Sequence, residues 1–108
     1  MVDSDTVLDL ERIPDTLTVV GGGVIGCEYA SVFACLGVKV TLLESHPGLL
    51  GFLDAEINAR LQQRFQALGI ELVFNDDVLQ VVDVPGPGVV VETRAGRRIA
   101  ASKLLVAA

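Results

Sequence analysis

Basic residues are scarce in this 108-residue chain, which has eight Lys and Arg against 14 Asp and Glu and a formal net charge of -6. Proteins that bind a nucleic-acid backbone gather basic residues on one face, so this balance argues against such a partner. No apolar run approaches the ~18 residues of a membrane span, and the acidic N-terminus lacks the basic start of a signal peptide. We therefore expect a cytoplasmic chain without nucleic-acid or membrane partners.

Cysteine and proline are also rare, with two and four residues. If Cys27 and Cys35 lie on one helix, their separation in sequence corresponds to roughly 12 Å of rise, too far for a disulfide. We interpret both as reduced core residues. Apolar residues make up 51% of the chain and charged residues 20%, which is the composition of a folded domain and not of a disordered segment.

The first half of the chain predicts a parallel β-α-β unit. Residues 17–20 are rich in β-branched side chains and stop at three glycines, as expected for a buried strand. Residues 24–36 then predict a helix that ends at Gly37, and residues 38–43 predict a second strand. This order requires a right-handed parallel crossover.

The second half begins with another helix, capped by Asp54 and ended by Gly69. Its predicted apolar stripe consists of Ile57, Leu61, Phe65 and Leu68. Residues 70–74 predict a third parallel strand, and residues 104–107 predict the last one. Three strands between them, over 78–82, 89–93 and 98–100, predict an antiparallel meander. The predicted fold is α/β, a Rossmann-like parallel sheet in which a three-stranded antiparallel meander forms one crossover.

The length suits a single domain. We expect residues 1–14 to be a linker leading into it and residues 15–108 to form a nucleotide-binding domain. Because the sequence stops directly after its last predicted strand, without a capping turn, we expect it to be a piece of a longer polypeptide.

Gly21, Gly23 and Gly26 form the pattern G-x-G-x-x-G where the first strand passes into the first helix. Gly21 allows the tight turn off the strand, Gly23 leaves space for a pyrophosphate, and Gly26 lets the helix pack closely. The helix that begins near Val24 directs its free N–H groups and the positive end of its dipole at the phosphates. The glycines alone are a weak signal, but their position between a strand and a helix predicts a dinucleotide site.

Glu44 ends the second strand, 18 residues beyond Gly26, where an acidic side chain accepts hydrogen bonds from the adenosine ribose. Its charge would also repel a 2′-phosphate, so it favours NAD(H). Ser45 and His46 follow it directly, at the start of the predicted loop. His46 is interpreted as a solvated loop residue or a nucleotide-specificity contact rather than as a catalytic base.

Other charged residues leave alternatives open. Glu28, assigned to the first helical turn, either faces the nicotinamide end of the cofactor or is a surface acid favoured by the helix dipole. Asp76 and Asp77 are interpreted as a solvated turn, and no metal site is predicted. The arginines beside the Ala95–Gly96 turn are interpreted as a solubilising hairpin tip. These arginines are Arg94, Arg97 and Arg98.

The glycine segment from Gly21 to Ser31 reads GGGVIGCEYAS, and it is followed by LGVKV at 36–40 and LLGFLD at 49–54. Together these segments resemble the nicotinamide-nucleotide domain of the FAD-dependent pyridine nucleotide-disulfide oxidoreductases, and the meander agrees with this. Within that family, GCEYAS and the DSD segment at 3–5 look most like members that pass hydride between NADPH and NAD+ through the flavin. The resemblance covers essentially the whole chain.

The resemblance implies that NAD(H) or NADP(H) is bound here, while FAD and dimerisation domains lie elsewhere in a homo-oligomeric parent enzyme. It places the glycine loop on the pyrophosphate and Glu28 near the nicotinamide and flavin. The expected cofactor-binding residues are Gly21, Gly22, Gly23, Val24, Ile25, Gly26, Glu28, Glu44, Ser45 and His46. No residue of the chain is expected to perform covalent chemistry, so the chain alone is expected to be inactive.

Three alternatives remain open at this point. In the first, the chain is the NAD domain of a dihydrolipoamide dehydrogenase-like disulfide reductase, since the redox cysteines of such enzymes lie in their FAD portion. A nucleotide-binding module without redox function has the same glycine loop. FAD itself is the third possible ligand, because flavin domains use a similar loop and ribose-binding acid; the strand-meander-strand ending counts against it.

Overall fold

The computed structural model describes residues 2–3, 13–51, 53–85 and 88–107. Within these ranges the elements run in the order β1 (Val2–Asp3), β2 (Thr16–Val20), α1 (Val24–Cys35), β3 (Lys39–Leu43), α2 (Ala55–Ala67), β4 (Glu71–Val73), β5 (Val78–Asp83), β6 (Val89–Thr93), β7 (Arg98–Ala101) and β8 (Lys103–Val106). A parallel sheet has the strand order β1-β8-β2-β3-β4, and an antiparallel sheet has the order β5-β6-β7. The predicted α/β fold with its meander is confirmed.

Strand β2 lies at the centre of the parallel sheet, between β3 and β8. Its side chains alternate between two cores, as a strand covered on both faces requires. Leu17 and Val19 pack in the core that contains α1 and α2 residues, while Val20 packs with Leu104 and Val91 in the core beneath the meander. The carboxyl end of this central strand, at Val20, leads directly into the glycine loop.

Both helices end as the glycines predict. Gly37 and Gly69 adopt φ values of 91° and 87°, in the left-handed region that glycine occupies without steric cost. After α1, the N–H of Val38 donates to the carbonyl of Phe33 over 3.0 Å, so the chain reverses within one turn. This reversal brings the chain back to the sheet for β3.

The N-terminal residues contain a strand that the sequence did not indicate. Val2 and Asp3 pair in parallel with Leu105 and Val106 of β8 and add an edge to the sheet. Two residues are too few to carry a hydrophobic period, so no sequence signal marks this strand. Residues 4–12 of the expected linker lie outside the described residues, and the boundary at residue 14 remains a prediction.

The predicted apolar stripe of α2 is partly wrong. Phe65 is buried and Leu61 partly buried, but Ile57 is 50% exposed and Leu68 37% exposed. Helix α2 lies beside β4, the last strand of the sheet, so only a narrow strip of the helix is covered. Asn58, which the predicted stripe did not include, is buried.

The expectation that both cysteines are core residues is only partly correct. Cys27 is buried as expected, whereas Cys35, the last residue of α1, is exposed.

The interpretation of Asp76 as part of a solvated turn is also wrong, because its side chain is fully buried. Its carboxylate accepts hydrogen bonds from the N–H groups of Asp77 and Ala95 and from the Arg97 guanidinium, each over 2.9 to 3.0 Å. Burial raises the pKa of Asp76, but hydrogen bonds from Thr93, the two N–H groups and Arg97 outweigh it and lower the pKa to about 2. Arg97 therefore anchors the hairpin through this contact although its side chain is 53% exposed, and Arg94 and Arg98 are also exposed.

Candidate functional site

The glycine loop has the backbone geometry that its sequence predicts. Gly21 has a φ of 113°, which only glycine adopts readily, and its N–H donates to the carbonyl of Leu43 over 2.8 Å. A Cβ at Gly26 would lie 1.8 Å from the carbonyl oxygen of Gly21. Helix α1 therefore approaches β2 more closely than any side chain at this position would allow.

The N-terminus of α1 is open to solvent. Gly23 is the N-cap residue, and no side chain of the described residues caps the helix there. A Cβ at Gly23 would meet no atom within 4 Å, and the next two residues, Val24 and Ile25, are 52% and 49% exposed. The free N–H groups and the helix dipole thus face open space, where an anionic group is stabilised.

Glu44, which directly follows β3, lies beside the glycine loop and is hydrogen-bonded to it. Its carboxylate is buried, with Oε1 accepting a 2.6 Å hydrogen bond from the N–H of Gly22 and Oε2 accepting a 2.8 Å bond from the N–H of His46. The carboxylate therefore holds the glycine loop and the start of the next loop together. Sequence reasoning included Gly22 in the site but assigned it no separate role.

Two opposing effects act on the Glu44 carboxyl. Burial raises its pKa, but the hydrogen bonds from the N–H groups of Gly22 and His46, together with the contact to the His46 ring, outweigh burial and lower the pKa. Glu44 is therefore negatively charged at neutral pH. The charge that would repel a 2′-phosphate is present, but it is already hydrogen-bonded within the protein.

The His46 side chain is 79% exposed, and its Nδ1 lies 2.6 Å from Oε2 of Glu44. Ser45 is also exposed, with its hydroxyl 3.4 Å from both the same carboxylate oxygen and Nδ1 of His46. The structure thus brings the three residues predicted at this strand end into one hydrogen-bonded group. His46 lies at the surface, as the interpretation of a solvated loop residue requires.

A cavity of about 270 Å³ lies between the glycine loop and the chain that follows His46. It is lined by Gly22, Gly23, Glu44, His46, Gly48, Leu50 and Gly51. Pockets for complete small ligands span ~300 to 1,000 Å³, so this cavity suits one portion of a dinucleotide. Sequence reasoning missed residues 48–51, because the Pro47–Gly48 turn indicates a loop but not its direction.

Glu28 is not among the residues that line this cavity. It lies in the second turn of α1, not in the first as expected, and its side chain is exposed. The helix begins at Val24, four residues earlier, so Glu28 is one turn away from the free N–H groups. Its predicted position near the nicotinamide remains a prediction.

The Cys27 thiol lies behind the glycine loop and donates a 3.4 Å hydrogen bond to the carbonyl of Gly22. Burial, with the nearby charge of Glu44, raises the pKa of Cys27 to about 11, so the residue stays a neutral thiol. The described residues hold no cluster of three or more His, Cys, Asp and Glu side chains suited to a metal. Neither of the described helices is long and apolar enough to cross a membrane.

A parallel sheet with a glycine loop and an uncapped helix at the end of its central strand, and an acid at the end of the next strand, is the arrangement of Rossmann-type folds. The family model for "Pyridine nucleotide-disulphide oxidoreductase" matches residues 1–108. The chain belongs to this family, as the resemblance of its motifs predicted.

The curated relatives include soluble pyridine nucleotide transhydrogenases. The protein from Mycobacterium bovis (strain BCG / Pasteur 1173P2) is 40% identical over 108 residues, which are 100% of this chain and 23% of that protein. The protein from Pseudomonas putida (strain W619) is 44% identical over 103 residues, which are 95% of this chain and 22% of that protein. The chain thus spans less than a quarter of the length of these relatives.

Solved structures show the same fold. The HOCl-induced flavoprotein disulfide reductase RclA from Escherichia coli matches with a TM-score of 0.91 and 32% identity, over 99% of this chain and 24% of that one. LpdA from Mycobacterium tuberculosis matches with a TM-score of 0.89 and 33% identity, over 98% of this chain and 23% of that one. Pyridine nucleotides and FAD are the cofactors of such oxidoreductases, which agrees with the predicted cofactors in general terms.

Proposed function

We propose that this chain is the nicotinamide-dinucleotide-binding domain of an FAD-dependent oxidoreductase. The observation that carries the proposal is the open N-terminus of α1 next to Gly23, where no side chain of the described residues competes for the free N–H groups. The pyrophosphate lies there, bound by the N–H groups near Gly23, Val24 and Ile25. The helix dipole supplies the positive potential without a basic side chain.

The adenosine portion occupies the cavity beside Glu44. A ribose hydroxyl there donates to the Glu44 carboxylate, which keeps its negative charge at neutral pH because the pKa is lowered. The nicotinamide extends in the other direction, toward Glu28. Because Glu44 disfavours a 2′-phosphate, the domain binds NAD(H) more tightly than NADP(H), with Ser45 and His46 as the neighbouring contacts that set this difference.

The parent enzyme passes hydride between NADPH and NAD+ through a flavin held by its other domains, in a soluble protein of the cytoplasm. Support comes from the 40% and 44% identity to soluble pyridine nucleotide transhydrogenases. The flavin accepts and donates the hydride, and this chain orients the nicotinamide. The parent is a homo-oligomer, and its remaining domains cover apolar side chains that are more than half exposed here, including Val24, Val32 and Leu36.

A second candidate is a disulfide reductase of the dihydrolipoamide dehydrogenase type. The structural similarity to LpdA and to RclA favours it. The two candidates share this domain and differ in the acceptor that reoxidises the flavin. An activity assay on a full-length protein that contains this chain and FAD distinguishes the two candidates. A transhydrogenase reduces thionicotinamide-NAD+ with NADPH, whereas a disulfide reductase oxidises NADH and reduces a disulfide substrate to its dithiol.

The binding proposal itself is tested on the chain by calorimetric titration with NADH and with NADPH at one ionic strength. We expect tighter binding of NADH, and we expect Glu44→Ala to weaken NADH about tenfold, the effect of losing a hydrogen bond to a charged group. Glu44→Gln keeps an acceptor for the Gly22 N–H and removes the charge, so it should improve NADPH relative to NADH. A folded chain that binds neither nucleotide contradicts the proposal.

A further inference from the structure

Asn58, a buried residue of α2, is hydrogen-bonded to the main chain of a residue nine positions earlier. Its Oδ1 accepts a 3.0 Å hydrogen bond from the N–H of Leu49, and its Nδ2 donates to the carbonyl of the same residue. One side chain therefore satisfies both backbone polar groups of Leu49, as a neighbouring strand would. Gln62, one turn further along α2, donates a 2.9 Å hydrogen bond to Oδ1 and fixes the orientation of the amide.

The segment held in this way forms one wall of the cavity. Gly48 and Leu50, on either side of Leu49, both line the cavity, and the Leu49 side chain is fully buried. A Cβ at Gly48 would lie 3.0 Å from Oδ1 of Asn58, so the backbone packs directly against the amide. The N–H of Leu50 donates a 3.1 Å hydrogen bond to the carbonyl of Gly22, which connects this wall to the glycine loop.

Leu50 has a left-handed backbone conformation, with a φ of 46°. Leucine rarely adopts this conformation, and it persists only where the surrounding contacts determine it. Those contacts include the amide of Asn58 on the preceding residue and the carbonyl of Gly22, which accepts from the Leu50 N–H. They also include the N–H of Leu53, which donates a 2.8 Å hydrogen bond to the Leu50 carbonyl. Without the Asn58 amide, the backbone of Leu49 would lose both partners, and one of the contacts that determine the Leu50 conformation would be absent.

We propose that Asn58 is a positioning residue of the dinucleotide site. It fixes residues 48–51 against the glycine loop before the ligand binds, so that the adenosine portion enters a preformed cavity and does not have to order this wall itself. Asn58 does not touch the ligand; it acts through Leu49. The inference rests on the proposed function, since it assigns the cavity to the adenosine portion.

The geometry also explains why the side chain is an asparagine. An amide carries one acceptor and one donor group at the same distance from the backbone, which matches the N–H and C=O of Leu49. Aspartate would place an oxygen against the Leu49 carbonyl, and serine is too short to reach both groups. Asn58→Asp therefore disrupts the contact with Leu49 by repulsion between two oxygens. Asn58→Ser disrupts it because the hydrogen bonds to Leu49 are lost.

The test is a calorimetric titration of the chain with NADH, with Leu61→Ala as the matched control. Leu61 lies on the same helix and packs against the core, but it is not among the residues that line the cavity, and the side chain hydrogen-bonded to Leu49 is that of Asn58. We expect Asn58→Ser to weaken NADH about tenfold, since the wall must then be ordered on binding. Leu61→Ala should lower the Tm to a similar extent and leave the NADH affinity unchanged.

Amide hydrogen exchange gives a second measurement that does not depend on the ligand. In Asn58→Ser the amides of Leu49 and Leu50 should lose protection, while that of Gly21, bonded to Leu43, should keep it. If Asn58→Ser does not fold, Gln62→Ala replaces it in the titration. We expect this variant to weaken NADH about threefold, because the Asn58 amide then loses only the neighbour that orients it.

Two results would overturn the inference: wild-type NADH affinity in folded Asn58→Ser, or an equal loss of affinity in Leu61→Ala at equal Tm. A failure of the proposed function is distinct from both. In that case the unmodified, folded chain does not bind NADH at all, and the role assigned to Asn58 falls with it.

Discussion

The backbone N–H of Gly22 donates a 2.6 Å hydrogen bond to Oε1 of Glu44, and this bond joins the glycine loop to the end of β3. A Cβ at Gly22 would lie 3.0 Å from Leu49 and 3.1 Å from Glu44. Gly22 thus has a packing role, because Leu49 and Glu44 occupy the space that a side chain at this position would need. The acid that we propose as a ribose ligand is therefore also part of the support of the loop.

Removing the Glu44 carboxylate should lower stability because the buried N–H of Gly22 loses its acceptor. We expect Glu44→Ala to reduce the free energy of unfolding by about 1 to 3 kcal/mol, measured by urea denaturation. Glu44→Gln keeps an oxygen at the same distance and should lose clearly less. Equal losses in the two variants would show that the charge, and not the acceptor, stabilises the loop.

Gly26 and Gly23 should respond differently to alanine. Gly26→Ala places a Cβ against the carbonyl of Gly21 and should cost about 3 kcal/mol or more of unfolding free energy. Gly23→Ala has open space around its Cβ and a φ of -79°, so the fold should lose about 1 kcal/mol or less. NADH affinity should nevertheless fall in Gly23→Ala, since the methyl group occupies the proposed phosphate position. A titration with unchanged affinity would argue against that position.

The buried Asp76 should make the fold sensitive to acid. Its pKa is lowered in the folded chain, so its contribution to stability is complete above the unfolded value of about 4 and is lost as pH falls through the folded value of about 2. Urea midpoints measured between these pH values should fall steeply in the wild type. Asp76→Asn should be less stable at neutral pH and show a smaller decline.

Asp77→Asn provides the control for this pH series. Asp77 is the exposed neighbour of Asp76, and the substitution leaves the buried carboxylate and its partners in place. The steep decline below about pH 4 should therefore persist in this variant. A decline that disappears in Asp77→Asn and stays in Asp76→Asn would show that the acid sensitivity comes from Asp77 and not from Asp76.

The two thiols should differ in reactivity. Burial raises the pKa of Cys27 to about 11, whereas Cys35 is exposed. Iodoacetamide reacts with thiolates, so the native chain near neutral pH should gain one adduct, at Cys35, and the unfolded chain should gain two. Mass spectrometry of Cys35→Ser should detect no adduct before unfolding. Rapid modification of Cys27 in the native chain would indicate that the core behind the glycine loop opens.

Local sequence was sufficient where one short segment determines its own conformation. The glycines at Gly21 and Gly37 were assigned correctly because a left-handed backbone can be recognised from the residue itself. The parallel β-α-β order was assigned correctly because short connections restrict the topology. The apolar stripe of α2 was only partly correct, since Ile57 matches the helical period but faces solvent beside the sheet edge.

The sequence by itself determined the α/β fold, the glycine loop, the acid after β3 and the family, because each depends on residues that are close together in the chain. Tertiary structure alone decided which distant groups meet. It buried Asp76 against Arg97, joined Glu44 to Gly22, and placed Asn58 on the main chain of Leu49. A polar residue looks the same in sequence whether it is solvated or buried, and only the folded chain supplies the partners that make burial favourable.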